Sequence, residues 1–423
     1  MSEKMSKPSI WKSILNRRIL VCIFTGFSSG LPLYVLYQMI PAWLRDDGVD
    51  LKTIGLFSLV GFPYTWKFIW SPAMDRIVPR FLGRRRGWAL MTQVGLLLSL
   101  GLFSFLNPSD NIWGIACVVV LVALFSASQD IVLDAYRREL LPDEELGFGN
   151  SMFVNAYRIA SLVPGSLALI LADQIPWSSV HWVVAAFMLV GIVTTLMMPE
   201  PEVHAPPPKS FKEAVVEPFR EFFTRKDLQS AIVLLLFILL YKLGDNMATA
   251  LATPFYLDLG FTKTEIGTVA KVAALWSSIA GGIIGGIIMI RIGINRSLWI
   301  FGIVQLVTIL GFAALAEIGN DKTWLFIVVS GEYLGVGLGT AAFVAFMAKS
   351  TDKRYTATQL ALLTSLMGVP RTLANASTGF IIEATGYTSF FLICTVLAIP
   401  GMILLKWVAP WNESPSDLIK PQT

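Results

Sequence analysis

Residues 126–140, SASQDIVLDAYRREL, close an apolar run of about twenty residues, enough to cross a bilayer, and yet carry Gln129, Asp130 and Asp134. Four residues apart, the two acids share one face of a helix, while Gln129 is rotated by about 100° from Asp130. An ionisable side chain at the bilayer centre costs about 2.5–3.5 kcal/mol on insertion scales, so it faces protein or a water-filled path. The same argument holds for Lys67, Arg158, Lys242, Asp245, Lys271, Glu332 and Arg371, each inside an apolar run. Asp134 has Arg137 and Arg138 within reach on its own helix. Asp130 has no cation three or four residues away and must turn to another helix, with Lys67, Arg158 or water as candidates.

A carboxylate whose partner moves away as a cavity changes shape can bind and release a proton. His181 lies at the end of an apolar run and His204 in a central loop, so no His is placed inside a span and proton coupling falls to acids. Asp130 is the first candidate by depth and Glu332, which lacks a local cation, the second, with Lys271 and Arg371 as possible partners. Asp134 is the third, against the plainer reading of an interfacial pair with an arginine. Lys242 and Asp245, three apart, either neutralise each other or meet a solute. Arg158 and Arg371 could clamp a carboxylate or phosphate bidentately, or only neutralise neighbouring acids. Tyr34, Tyr37 and Gln38 fall within about one turn and offer a polar, aromatic edge suited to a sugar ring or amide.

The elements that must position these groups follow from composition. Of 423 residues, 55% are hydrophobic and 15% charged, and the mean hydropathy is +0.65, a balance that belongs in a bilayer rather than in water. Hydropathy divides into twelve stretches of spanning length: 18–40, 53–72, 88–106, 112–136, 149–172, 180–198, 229–253, 265–290, 297–316, 323–348, 357–382 and 387–408. The basic opening segment and its apolar run are read as the first span rather than as a cleaved signal, because the run is long and no small-residue cleavage site follows. An all-α membrane protein of twelve transmembrane helices in two six-helix halves is expected. Alternate connecting segments and the ends hold 24 Lys and Arg against four in the other loops, which predicts both termini in the cytoplasm. The net charge of +4 then reports topology, not a nucleic-acid partner. Cys22, Cys117 and Cys394 lack metal-ligand spacing and read as small apolar residues.

The Pro-rich stretch at 199–208 interrupts the helices between spans six and seven. The chain therefore divides into an amino-terminal half (1–198), a cytoplasmic linker (199–228), a carboxyl-terminal half (229–410) and a cytoplasmic tail (411–423). Ser210 and Glu213 have capping-box spacing, and Phe211, Val215, Phe219, Phe222 and Phe223 form an apolar stripe, so the linker either carries a helix on the inner membrane face, with Pro218 as a kink, or is an unstructured tether. DLKTIG at 50–55 and TKTEIG at 262–267 open spans two and eight and suggest a repeat between halves. Spans three, six, nine and twelve have clean apolar interiors, so every third span is expected to face lipid while the others surround a polar cavity.

That arrangement, with Asp75-Arg76 and Gly83-Arg84-Arg85-Arg86 after span two, resembles the major facilitator superfamily, which implies a conformational latch at Asp75, Arg76, Arg84 and Arg85. Ser71 and the longer spacing before Gly83 depart from the usual motif. GFSSGLPL at 26–33, DLKTIGLFSLVGFPYTWKFIWSPAMDR at 50–76, GRRRGW at 83–88 and SASQDIVLDAY at 126–136 resemble AmpG-type muropeptide permeases. The resemblance implies proton-coupled import of anhydromuropeptides from periplasm to cytoplasm across a bacterial inner membrane, by a monomer with no cofactor beyond the proton gradient. It also implies site roles for Gln129, Asp130 and Asp134, although Tyr136 stands where Trp is frequent. The QDI-plus-Asp pattern resembles acetyl-CoA transporters as well, so another anionic solute stays open, as does a membrane sensor. An enzyme is not expected: KLGD at 242–245 only superficially resembles a membrane-protease element, and neither HExxH nor a nucleophile–His pair is present in the spans.

Overall fold

A computed structural model describes residues 16–49, 53, 61–201, 210–225, 227–262 and 265–412, with backbone alone at 211, 212, 214 and 370–377. In chain order the helices are α1 (Arg17–Asp46), α2 (62–76, in pieces), α3 (Arg84–Phe105), α4 (Ile112–Leu140), α5 (Asp143–Ala172), α6 (Trp177–Met197), α7 (Leu228–Asp258), α8 (266–292), α9 (294–318), α10 (Lys322–Lys349), α11 (356–385) and α12 (387–408), and all but α2 and α11 are, among the described residues, long and apolar enough to cross a membrane. Two continuous helical stretches are each divided by one glycine, Gly293 with φ 81° and Gly386 with φ 77°, in the left-handed region that glycine enters without a Cβ clash. Most helices run past the polar residues at which the hydropathy reading stops, because a helix ends at its caps, as Asn16 does by accepting from the Ile19 amide at 2.9 Å.

Span two differs from the single helix expected over 53–72. Its described part breaks into Phe62–Trp66, a tight turn at Lys67–Ile69 and Ser71–Arg76, with Pro63 and Pro72 each removing a backbone donor; residues 50–52 and 54–60 lie outside the described residues. Helix α7 breaks at Lys242, between Leu228–Leu240 and Leu243–Ala250. Wide turns interrupt α1 at Val35–Met39, α5 at Val163–Leu167 and the start of α8 at Ile266–Ala270. Lys67, Lys242 and Lys271 thus sit at or beside irregular backbone, while α4 and α10, which carry Asp130, Asp134 and Glu332, run unbroken.

In lipid, helices associate through close packing of small residues. Gly26 and Gly30 of α1 lie against the backbone of Phe153 and Tyr157 of α5, leaving no room for a Cβ. Helix α8 presents two adjoining small-residue faces: Gly281 and Gly285 meet Leu334 and Leu338 of α10, while Gly282 and Gly286 meet Asn155 and Ser151 of α5. Helices α3, α6, α9 and α12 direct Leu98, Val193, Val307 and Val396 outward, but α4, α8 and α10 also expose Val120, Trp276 and Phe326, so outward apolar faces are not confined to every third span.

The buried core locates the closed end. At the end that carries the linker, one apolar cluster is continuous from Ile19, Met74 and Ile131 of the first half to Phe343, Leu360 and Leu405 of the second. Toward the opposite end the halves have separate cores, one built from residues between Leu31 and Met188 and one between Met247 and Cys394. The molecule is therefore sealed at its linker end and divided at the other. The linker helix, Phe211–Thr224, starts as its capping spacing predicts, with Ser210 Oγ accepting from the Glu213 amide at 3.0 Å. Rather than only lying on a membrane face, it docks onto protein: Phe222 and Pro218 are buried.

Candidate transport site

Helix α4 delivers its two acids to different partners. Asp134 is held by Arg137 at 2.8 Å and approached by Lys67 at 3.9 Å. Arg137 is itself fixed, donating to Asn150 Oδ1 at 2.6 Å and lying 3.8 Å over the Phe153 ring. Asp130, one turn away, has no ion pair within 4 Å among the described residues; the Ser29 hydroxyl donates to it at 2.5 Å. Lys67 and, more weakly, Arg137 act on Asp130 from a distance, and the phenols of Tyr64 and Tyr157 lie within its electrostatic reach. Gln129, expected to meet substrate, is instead wholly buried against α1, donating to the Ser28 carbonyl at 2.9 Å. Its rotation away from Asp130 turns it into the helix–helix interface.

Above this cluster, Tyr34 packs edge to face on Tyr157 with ring centres 5.7 Å apart, and Tyr37 and Gln38 are exposed. The wide turn at 35–39 and the glycine at 165, which stands against Gln38, set these side chains apart from the regular helix above and below.

In the second half, the break in α7 lets Lys242 and Asp245 pair at 2.5 Å while both are buried. Glu332 on α10 is 1% exposed; Asp245, Lys242 and Thr308 are its polar neighbours, and none reaches hydrogen-bonding geometry with its carboxylate. The expected partnership of Glu332 with Lys271 is not formed, because Lys271 is turned to the Thr253 hydroxyl at 3.2 Å. Arg371 lies on α11, and its side chain falls outside the described residues. Arg158 joins the halves: it donates to the Ser278 carbonyl of α8 at 2.8 Å, with Tyr34 and Asp245 as its electrostatic neighbours. It is therefore engaged at the seam rather than projecting freely into a cavity.

A second cluster closes the linker end. Arg85 grips Glu139 with Nη2–Oε1 at 2.6 Å and Nε–Oε2 at 3.0 Å, and reaches Asp75 at 3.0 Å. Asp75 also accepts from the Thr358 amide at 3.0 Å and its hydroxyl at 2.8 Å, at the start of α11 in the other half. Arg84 contributes a longer contact to Glu139 at 3.7 Å, and Arg76, half-buried, takes no part in the cluster. Glu139, Thr358 and Glu200 are additions to the expected latch residues. Glu200 accepts from the amides of Arg85 at 2.8 Å and Arg86 at 3.0 Å, a carboxylate on a helix N-terminus. An acid directly after Arg137-Arg138 was the available sign for Glu139; nothing local marks Thr358.

Such a molecule can separate two sets of buried charges with one closed end and one divided end, which is the geometry of a carrier rather than of a fixed pore. Comparison with known proteins agrees. Residues 22–375 match the model of the Major Facilitator Superfamily. Over 390 residues the chain is 43% identical to the anhydromuropeptide permease of Escherichia coli K12, covering 92% of this chain and 79% of that protein. It is 50% identical over 414 residues to an uncharacterized protein of Haemophilus influenzae, covering 96% and 97%, and 30% identical over 409 residues to a putative transporter AmpG 4 of Rickettsia conorii, covering 94% and 98%. Among solved structures, the human organic anion transporter MFSD10 superposes with a TM-score of 0.70 at 13% identity, covering 92% of this chain and 99% of that one. The transporter FucP in its outward conformation gives 0.69 at 10%, covering 92% and 98%.

Proposed function

Because this chain belongs to the Major Facilitator Superfamily, we propose that it imports anhydromuropeptides, sugar–peptide fragments of the cell wall, into the cytoplasm by proton-coupled alternating access. The observation that carries the coupling is the contrast on α4, where Asp134 is pinned by Arg137 while Asp130, one turn away, has a hydroxyl donor and only cations that lie closer to its neighbour, Lys67 and Arg137. A group so placed gains or loses its counter-charge as Lys67 moves with the broken α2. Glu332, buried beside a Lys242–Asp245 pair, is the corresponding acid of the second half. The choice of solute is supported by the 43% identity to an anhydromuropeptide permease.

In this reading the linker end faces the cytoplasm of a bacterial inner membrane, as the positive residues favour, and the described conformation receives solute from the periplasm. Tyr34, Tyr37 and Gln38 offer ring-stacking and amide contacts, Arg371 an anion contact from the second half, Arg158 one from the first only when it leaves the Ser278 carbonyl, and Lys67, Lys242, Asp245 and Lys271 the charged lining. The protein works as a monomer and needs no cofactor beyond the gradient. Opening inward requires Asp75 to release Thr358.

Uptake of labelled anhydromuropeptide into liposomes holding the purified protein, with and without an inward proton gradient, tests this. Accumulation above equilibrium only with the gradient is expected. Equilibration that ignores the gradient would remove the coupling, and absence of uptake alongside uptake of acetyl-CoA would replace the solute.

A further inference from the structure

Among the described residues, Thr249, Thr253 and Tyr256 of α7, Lys271 of α8 and Tyr333 of α10 surround a cavity of ≈ 210 Å³. Whole-ligand pockets are about 300–1,000 Å³, so this one holds a single group of a larger solute. Its lining is polar in a specific way. Lys271 has no acidic partner among the described residues and donates to the Thr253 hydroxyl at 3.2 Å. The Tyr256 side chain is 3% exposed and its hydroxyl has no hydrogen-bond partner among the described residues. Tyr333 and Glu332 are its electrostatic neighbours, and a hydroxyl left unpaired in the interior gains from an acceptor that reaches it. An ammonium and an orphaned phenol on one small cavity ask for an anion with two acceptor oxygens.

The cavity is lined by the second half alone, and it adjoins the face that α8 turns toward the first half. Helix α8 meets α5 through Gly286, Gly282 and Ser278, at intervals of four residues. Residues three and four apart share a helix face, so Ala274 and then Lys271 continue that seam-facing stripe toward the divided end. Lys271 stands about 10 Å beyond the Arg158–Ser278 contact, at seven residues of 1.5 Å each.

From this geometry we infer that the cavity between α7, α8 and α10 is a carboxylate subsite, in which Lys271 and the Tyr256 hydroxyl hold a carboxylate of the solute on the second half while the tyrosine edge of α1 meets its sugar. The inference rests on the muropeptide reading for the identity of the solute and on the cavity for the chemistry.

The test compares an anhydromuropeptide carrying its peptide carboxylates with the same molecule converted to carboxamides, using the full-length protein in liposomes. Wild type favours the carboxylate form. Lys271→Gln is expected to weaken that form about tenfold or more, the scale of a lost charged hydrogen bond, and to leave the carboxamide within about twofold. Tyr256→Phe, which keeps the ring, is expected to reduce the same preference by less. Equal weakening of both forms by Lys271→Gln, or none, overturns the subsite. A second readout uses wild type alone: lactate, but not lactamide, should slow acylation of Lys271 by an amine-reactive ester, followed by mass spectrometry. Protection without muropeptide uptake would retain the subsite and refute the solute; uptake with neither protection nor a change in preference would refute the subsite and retain the solute.

Discussion

Asp130 and Asp134 show how far a single sequence can assign partners. Spacing alone indicated the Asp134–Arg137 pair, since both lie within one turn of one helix. It also indicated that Asp130 must look elsewhere, but Ser29 as the donor is 101 residues distant and carries no sign of its role in GFSSG. The same limit hid Thr358 from Asp75, 283 residues apart. At this scale the decisive prediction concerns Asp130→Asn, which keeps an acceptor for Ser29 and loses the titrating proton. Gradient-driven accumulation is expected to disappear while counterflow exchange of muropeptide stays within about threefold, less than the roughly tenfold loss of a charged bond. Undiminished uphill uptake would take Asp130 out of the coupling. Asp134→Asn, by contrast, leaves Arg137 buried without its acid and is expected to lower thermal stability, read by tryptophan fluorescence on heating.

The spans were legible because apolar length is a property of the chain itself, whereas breaks within them were only partly so. Pro63, Pro72 and Pro164 are signs of the breaks in α2 and α5 that the hydropathy reading does not use, whereas the interruption of α7 at Tyr241-Lys242 has neither proline nor a run of glycines. Linker docking was also hidden, because Gln359 reads as an ordinary polar residue until its four bonds are seen. Buried on α11 next to Thr358, it donates to the Pro218 carbonyl at 3.0 Å and Glu221 at 2.6 Å, and accepts from Arg225 at 3.0 Å and the Asp352 amide at 2.8 Å. The linker helix thereby steadies the helix end that Asp75 holds. Gln359→Leu, matched in size but without polar atoms, strands the Arg225 and Asp352 donors and should raise proteolysis within 210–225 severalfold, with uptake falling less than for a change in Asp75. Asp352 adds a pH sign. Burial favours its neutral form, yet the Arg354 side chain, amide and charge hold it below its ordinary 3.8. A depressed carboxylate stabilises fully above its ordinary value and loses that contribution as pH falls through the lower one, so this corner should loosen only in strong acid.

For the whole molecule, two-ended opening follows from the way its core is distributed. One cluster crosses both halves at the linker end and two separate clusters lie beyond it, so closing the divided end must be matched by parting the shared one. The polar lock on that shared end is Asp75, Arg85, Glu139 and Thr358, all buried. Removing the charge of Asp75 leaves Arg85 with Glu139, costs the Arg85–Asp75 pair within the first half and weakens the Thr358 bridge between halves, a loss for that bridge of about 1.5–3 kcal/mol for charged hydrogen bonds, hence a shift of about tenfold or more between the two ends. Spin labels at Asp110 and Asn320, on exposed loops of opposite halves at the divided end, report this as a distance once exposed Cys117 is replaced by Ala; Cys22 and Cys394 are buried. Wild type should show mainly the long distance, and Asp75→Asn should populate a shorter one as the linker end parts. An unchanged distribution in a folded Asp75→Asn protein would mean that the apolar core, not the polar cluster, sets which end is closed, and Phe343→Ala, which opens that core, would then be the variant that moves the labels.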